Sequence, residues 1–184
     1  MAPRIPHVVL SKLKEIDPEA TFEGTLPRIQ SSSGAVYFVK VGSPSEAAQY
    51  EGEAQSLQAI NKAAPDIAPR VLKTGVSDTE DPYFISQYKD TERLSSKAAE
   101  VLAKRMATEL HSHGHANPTG FGFPIPTYCG VTKLENGLFE RWDECYASMI
   151  GDLLGQLQRK GRYQNLCLKG EKVKTQYVFF NSTW

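Results

Sequence analysis

Apolar and polar positions near the start of the chain predict one helix followed by extended segments. Residues 5–16 carry apolar side chains at helical spacing, and the Asp-Pro pair that follows ends the helix. Residues 21–29 and 35–41 favour extended structure, and the Ser- and Gly-containing segment 30–34 between them is typical of a turn. The pattern therefore predicts a short amphipathic helix and a β-hairpin.

The second strand of this hairpin distributes its side chains over two faces. Val36, Phe38 and Lys40 lie on one face because side chains alternate along a strand, and the apolar residues next to them lie on the other. The strand is thus apolar on both sides except at Lys40. A lysine in this setting is a candidate for chemistry.

A capping box predicts the next helix. Ser43 is followed by a proline at the first helical position and by Glu46 at the third. The helix would end before the Ala-Pro pair at residues 64–65. Its inward stripe consists of Ala47, Tyr50, Ala54, Leu57 and Ile60.

The remaining pattern is mostly helical. Two strands are predicted around residues 71–75 and 83–88, and the polar segment 89–92 is typical of a hinge. A helix capped by Ser95 or Ser96 then runs to about Leu110. It ends before the break at residues 113–118.

A loop over residues 119–130 precedes a last helix at about 139–159, and residues 161–184 show no convincing pattern. The side chains expected to point inward from that helix are Trp142, Cys145, Tyr146, Met149, Leu153 and Leu157.

Composition and charge narrow the classes of protein. The 184 residues include 21 Lys+Arg and 21 Asp+Glu, a formal net charge of +0, which argues against an electrostatically driven nucleic-acid binder. No apolar run is long enough for a bilayer span or a secretory signal, so we expect no membrane partner. The 3 cysteines are widely spaced and outside any C-x-x-C pattern, which favours a reducing, cytoplasmic location.

A lysine and a glutamate point to phosphate chemistry. A strand bearing Lys40, a capped helix, two strands, a hinge and further helices follow one another in the order of a kinase small lobe. In such sites the strand lysine holds nucleotide phosphates and a helix glutamate orients it. Glu53 lies on the buried side of its helix, whereas Glu51 is rotated by about 200° and should face solvent. On the residues alone, an ordinary edge lysine and a surface acid remain the alternative.

Five segments of the sequence together are typical of one family: residues 37–41, 51–57, 110–112, 121–123 and 127–130. They resemble the fructosamine and ketosamine kinase family, most closely the members specific for ribulosamine on proteins. The resemblance runs from about residue 5 to about residue 158. It implies an α+β, protein-kinase-like (aminoglycoside-phosphotransferase-like) fold, with a small lobe over residues 1–89, a partial helical large lobe over 90–160 and a non-matching tail over 161–184.

The resemblance also implies an activity. Family members use ATP and Mg²⁺ to phosphorylate ribulosamine or fructosamine on the lysines of glycated proteins, which leads to deglycation and repair. By this resemblance, the loop over residues 30–34 would cover the phosphates. Lys40 would bind phosphate, Glu53 would orient Lys40, and the backbone of Gln87, Tyr88 and Lys89 would meet the adenine edge.

The catalytic half of the family's site is missing from this sequence. Phosphoryl transfer of this kind needs an Asp with an Asn five residues later, and a further Asp for Mg²⁺. From the hinge onward the aspartates are Asp90, Asp143 and Asp152, and none is followed by Asn at that spacing. We therefore expect no catalytic residue and no metal ligand here, and a solvated Asp152. The unmatched tail predicts an alternative splice form or a misassigned gene model.

Other interpretations of the sequence stay open. The chain could be a non-catalytic module that binds nucleotide or a partner, or could lack a stable fold. The alternating residues His111, His113 and His115 suit a metal site or a helix end followed by a loop. One aromatic set could line a sugar pocket, although such spacings are more typical of a core: Phe121, Phe123, Phe139, Trp142 and Tyr146.

Overall fold

The computed structural model describes residues 5–113 and 120–180, with residues 175–180 described by their backbone alone. The chain divides into two compact units, Met1–His113 and Gly114–Trp184. The first contains a five-stranded antiparallel sheet with helices, and the second contains two two-stranded sheets and helices. The fold is therefore α+β, as the family resemblance implied.

The first unit follows the predicted order of elements. Its helices are α1 (His7–Ile16), α2 (Ala47–Ala63) and α3 (Ser96–Arg105), which continues as a π-helical turn, Met106–Leu110. Its strands are β1 (Phe22–Thr25), β2 (Arg28–Ser31), β3 (Val36–Val41), β4 (Val71–Val76) and β5 (Pro82–Gln87). The strands are arranged in the order β1-β2-β3-β5-β4, and every neighbouring pair is antiparallel.

The hairpin differs from the prediction because the extended segment 21–29 is two strands rather than one. A turn at Leu26 and Pro27 separates β1 from β2, since proline lacks the N–H that a continuous strand would use for pairing. The predicted turn over residues 30–34 is shorter than expected, because Ser31 still belongs to β2. The hydroxyls of Ser31 and Ser33 both donate to Oδ2 of Asp17, at 2.7 and 2.6 Å.

The two faces of the sheet are buried by different helices. Val9 and Leu13 of α1 pack on one face, together with Tyr37 and Val39 of β3. Tyr50 of α2 packs on the other face; the full set there is Tyr50, Ala54 and Phe84, with Phe38, Leu57 and Val71 partly buried against them. This confirms the predicted split of the strand into two apolar faces.

The predicted capping box is present at the start of α2. The carboxylate of Glu46 accepts from the Ser43 backbone N–H and from the Ser43 hydroxyl, each at 2.8 Å. These bonds lower the pKa of Glu46. The first turn, Pro44–Glu46, is a 3₁₀ turn, and regular α-helix begins at Ala47. The local sequence thus fixes where α2 begins and how it leaves β3.

The second unit has more regular structure than the sequence indicated. Its elements are β6 (Phe121–Phe123), β7 (Thr127–Cys129), β8 (Thr132–Leu134), β9 (Gly137–Phe139), α4 (Trp142–Arg159) and α5 (Gln164–Phe180). β6 pairs with β9 and β7 with β8, so the predicted loop 119–130 is wrong where it covers β6 and β7. Residues 161–184, where the sequence showed no convincing pattern, contain α5 over most of their length.

Helix α5 packs closely against α4 through a small residue, which explains why the pattern of apolar residues did not predict this helix. Cys167 of α5 is buried, and a Cβ added to Gly170 would lie 2.5 Å from Cδ2 of Leu154 on α4. The contact therefore uses a small residue rather than a broad apolar stripe. The buried face of α4 agrees with the prediction at Cys145 but not throughout. Leu154 is also buried, whereas Trp142 and Leu153, expected to point inward, are 47% and 37% exposed.

Helix α3 associates with the first unit. Nη2 of Arg105 donates to the carbonyl oxygen of Pro65 at 2.7 Å, so α3 remains with the sheet although it follows the hinge. The lobe boundary at residue 89/90 stays a prediction about the family's lobes. The helix break predicted at residues 113–118 lies largely outside the described residues.

Candidate functional site

Strand β3 and helix α2 bring Lys40 and Glu53 together. Lys40 is the penultimate residue of β3 and lies on the face that α2 covers, and Nζ of Lys40 donates to Oε2 of Glu53. Glu51, on the same helix, is exposed as predicted. The side chains of Lys40 and Glu53 keep 26% and 38% of their surface exposed. The Lys40 side chain is therefore held by Glu53 and remains partly accessible to solvent.

Two aromatic rings complete the surroundings of the ammonium. Nζ of Lys40 lies 4.5 Å from the ring centroid of Tyr50 and 5.1 Å from that of Phe84. Both distances suit cation–π attraction. Phe84 is the cross-strand partner of Lys40, so strand register places it there. Sequence reasoning missed both contacts, although Tyr50, three residues before Glu53, was expected on the same side of the helix.

The Tyr50 hydroxyl stays protonated. Burial raises its pKa above the ordinary value of 10.0, and the carboxylates of Glu46 and Glu53 raise it further because they repel a tyrosinate. The ring over Lys40 is consequently neutral at physiological pH.

The hinge residues are partly engaged by the sheet. The backbone N–H of Gln87 donates to the carbonyl oxygen of Arg70 at 2.9 Å, and the backbone N–H of Tyr88 donates to the carbonyl oxygen of Val36 at 3.2 Å. These two N–H groups therefore cannot donate to a ligand without breaking a sheet hydrogen bond. Of the three residues expected at an adenine edge, Gln87 ends β5, Tyr88 follows it but is bonded to Val36, and Lys89 lies beyond both.

A cavity of about 540 Å³ opens beside the hinge. Gln87, Tyr88 and Asp90 contribute to its lining, and Oε1 of Gln87 is buried with no hydrogen-bond partner among the residues that the structure describes. The guanidinium of Arg28 lies 5.5 Å from the ring centroid of Tyr88 at the same place. Lys40 and Glu53 do not line this cavity. The structure thus places the predicted site residues in two groups on one sheet.

The loop expected to cover phosphates is at the wrong end of the sheet. Gln30 pairs with Val36, at the start of β3 and away from Lys40. The β1–β2 turn is the one near Lys40, because the carbonyl oxygen of Pro27 accepts from the amide of Val39 at 2.7 Å. The segment 30–34 instead binds Asp17. The predicted position of the phosphate-covering loop is wrong because residues 21–29 contain two strands and a turn, and not one continuous strand.

The aspartates beyond the hinge have structural roles or lie in solvent. Asp143 accepts two hydrogen bonds from Arg141, at 2.9 and 2.8 Å, which lower its pKa. Oδ2 of Asp152 accepts from the Glu135 amide at 3.1 Å, so Asp152 supports a hairpin rather than being merely solvated. Asp90 is exposed.

Within residues 5–113 and 120–180, no three His, Cys, Asp or Glu side chains lie together as cation ligands. His115, in the alternative metal site, lies outside the described residues. The side chains present therefore suit a phosphate at Lys40 but do not fit Mg²⁺. No step of the chemistry is therefore assigned to a metal from the residues that the structure describes.

The aromatic set expected in the second unit divides by burial: Phe121 and Trp142 are exposed, and Phe123, Phe139 and Tyr146 are half-buried. The rings of Phe121 and Trp142 are 5.9 Å apart between centroids, and those of Trp142 and Tyr146 are 6.1 Å apart. Phe121 and Trp142 are 42% and 47% exposed, so they do not form the core that their spacing suggested.

In the part of the chain that the structure describes, no helix combines the length and apolar character needed to cross a bilayer.

Comparisons with known proteins converge on one family. The sequence model for fructosamine kinase matches residues 24–176, which extends past residue 158, where the resemblance was expected to end. The chloroplastic protein-ribulosamine 3-kinase of Arabidopsis thaliana is 31% identical over 117 residues, 64% of this chain and 35% of the relative.

Two solved structures share the fold. The candidate fructosamine-3-kinase of Thermobifida fusca YX-ER1 matches with a TM-score of 0.71 and 20% identity, over 96% of this chain and 63% of its own. That of Haemophilus somnus 129PT matches with a TM-score of 0.64 and 16% identity, over 88% of this chain and 58% of its own. The chain thus spans less than two thirds of the length of each of these relatives.

The family match covers most of the chain and includes the strand, helix and hinge described above. The protein belongs to the fructosamine kinase family and has its protein-kinase-like fold.

Proposed function

We propose that this chain forms the part of a ketosamine kinase that binds the phosphates of ATP. The observation that carries the proposal is the Lys40 side chain, whose ammonium is paired with Glu53 and which stays partly exposed to solvent. An ammonium is a strong partner for phosphate oxygens, but its flexible stem must be oriented before it binds. Glu53 supplies that orientation from α2.

The adenine would lie along the hinge that follows β5. Because the Gln87 and Tyr88 amides already donate within the sheet, we assign donation to adenine to the Lys89 amide, with the hinge carbonyls as acceptors. The Arg28 and Tyr88 side chains, in contact beside the hinge, would border the base.

The substrate that we propose is a ketosamine, ribulosamine or fructosamine, on lysines of glycated proteins, with deglycation as the outcome. Support comes from the family and from the ribulosamine 3-kinase of Arabidopsis. That relative is chloroplastic, whereas we propose a reducing cytoplasmic location here, because Cys129, Cys145 and Cys167 are all free thiols.

A specific observation favours a second candidate, a module that binds nucleotide without transferring phosphate. Transfer needs Mg²⁺ held by Asp and Asn side chains. Here Asp143 is paired with Arg141 and Asp152 with the Glu135 amide, and no Asn follows either at the required spacing. The residues present therefore support binding better than they support transfer.

Two measurements on the 184-residue chain separate these functions. The unfolding midpoint should rise with millimolar ATP in the wild type and stay constant in Lys40→Met, because a ligand that binds only the folded state stabilises it. Transfer of labelled phosphate from MgATP to ribulosyl-lysine protein, above the Lys40→Met background, would establish the kinase. Stabilisation without transfer would establish the binding module, and an unchanged midpoint would reject both.

A further inference from the structure

Tyr50 lies between the core and the candidate phosphate site. Its side chain is 7% exposed and packs with Ala54 and Phe84, yet its ring centroid is 4.5 Å from the Lys40 ammonium. A residue needed only for the core would not have to present a ring face to a charged group. We propose that Tyr50 is a positioning residue for Lys40, an inference that rests on the proposed phosphate-binding role of that lysine.

The position of Tyr50 on α2 makes this role possible. Tyr50 and Glu53 are three residues apart, so they project from the same side of the helix on neighbouring turns. The ammonium therefore meets a ring from one turn and a carboxylate from the next, while Phe84 approaches from the neighbouring strand at 5.1 Å. Three groups on two elements limit where the flexible lysine can place its charge.

Backbone packing keeps the ring in place. A Cβ added to Gly42, immediately after β3, would lie 2.9 Å from three atoms at the far end of the Tyr50 side chain. Any larger residue at this position would displace the ring. The glycine therefore permits the close approach of α2 to β3 on which the contact with Lys40 depends.

A neutral ring performs a task that a second carboxylate could not. It attracts the ammonium through its quadrupole but leaves the positive charge available to a phosphate. A second carboxylate in its place would neutralise the charge and compete with the nucleotide. The two side chains thus have different roles. Glu53 binds the ammonium of Lys40 directly, and the Tyr50 ring restricts the directions in which the Lys40 side chain can extend.

The contact between the Tyr50 ring and Lys40 can be tested on the full chain without nucleotide. In a ¹³C-lysine-labelled sample, the ε-methylene protons of Lys40, assigned with Lys40→Met, should be shifted upfield by the ring currents. Tyr50→Phe should preserve this shift, whereas Tyr50→Leu and Gly42→Ala should move it downfield. Leu57→Ala is the matched control, because it removes apolar surface from the same cluster without touching Lys40.

Calorimetric titration with ATP tests the consequence. Tyr50→Phe should bind within about twofold of the wild type, and Tyr50→Leu about tenfold more weakly, from the strength of partly desolvated cation–π contacts. Leu57→Ala should lower the unfolding midpoint but leave the affinity unchanged.

The inference would be overturned by an unmoved Lys40 signal in Tyr50→Leu, or by wild-type affinity in that variant while Lys40→Met loses binding. If the wild-type chain itself bound no ATP, the proposed function would fail, and the lysine signal alone would decide the positioning role.

Discussion

Lys40 of β3 and Glu53 of α2, thirteen residues apart in sequence, form an ion pair between the sheet and the helix that covers it. Both side chains are partly exposed, so the attraction between them is weakened by water. The pair therefore contributes orientation more than stability.

Loss of the carboxylate should have a small effect on folding. Glu53→Gln should change the free energy of unfolding by less than about 1 kcal/mol, the usual range for partly exposed ion pairs. Urea denaturation of the chain measures this, with Glu51→Gln as the exposed control on the same helix. A loss of several kcal/mol would mean that the pair is a buried structural element.

The bonds from Ser33 and Ser31 to Asp17 predict a pH dependence. They lower the pKa of Asp17 below its ordinary value of 3.8, so folding favours the charged carboxylate. The stabilisation is fully present above the unfolded pKa of 3.8 and is lost as the pH falls through the lower folded value.

Asp17→Asn should accordingly lower the unfolding midpoint at neutral pH, and its difference from the wild type should shrink below pH 3.8. Thermal unfolding between pH 2 and pH 7, on the order of six points, measures the trend. The exposed Glu19→Gln is the control. A difference that stayed constant to the lowest pH would show that these bonds do not favour the ionised form.

Two glycines should respond oppositely to alanine. In Gly170→Ala the new Cβ would lie 2.5 Å from the buried Leu154 side chain, so we expect a loss of about 1–3 kcal/mol in unfolding free energy. At Gly155 the nearest atom is 3.6 Å away, on Arg159, so Gly155→Ala should stabilise α4 by about 0.5–1 kcal/mol. Chemical denaturation measures both. Equal effects would contradict the close packing of α4 against α5.

The three thiols should differ in reactivity. Cys129 is exposed, whereas Cys145 and Cys167 are buried, and burial raises the pKa of the Cys145 thiol above 9.0. Because the thiolate is the reactive form, a chromogenic disulfide should modify one thiol rapidly in the native chain and all of them after denaturation. Cys129→Ser should remove the rapid phase. Two rapid thiols in the native wild type would contradict the placement of α4 and α5.

The sequence predicted the first unit well because its signals are local. Ser43 and Glu46 form the expected cap, and the alternation along β3 places Lys40 on the side of α2. The contact between Lys40 and Phe84 could not be predicted, since it depends on how β3 pairs with β5. The division of residues 21–29 into two strands was not predicted, because the two-residue Leu-Pro turn hardly interrupts the run of residues that favour extended structure.

The second unit was less accessible to sequence reasoning because its packing is not local. Trp142 and Leu153 fit a regular apolar stripe, but α5 packs against another side of α4, through Gly170 and Leu154. A glycine contact between helices adds almost nothing to a hydrophobic pattern, so α5 was not expected. Asp152 likewise seemed solvated, because its partner is a backbone amide, that of Glu135.

Calorimetric titration of ATP into the wild type, Lys40→Met, Glu53→Gln and Glu51→Gln tests the central claim most directly. Binding to the wild type and to Glu51→Gln should be equal. Glu53→Gln should bind at least about tenfold more weakly, the effect of losing a charge-assisted orienting contact, and Lys40→Met should show no binding. Equal affinity in all four proteins, or no binding by the wild type, would contradict the account.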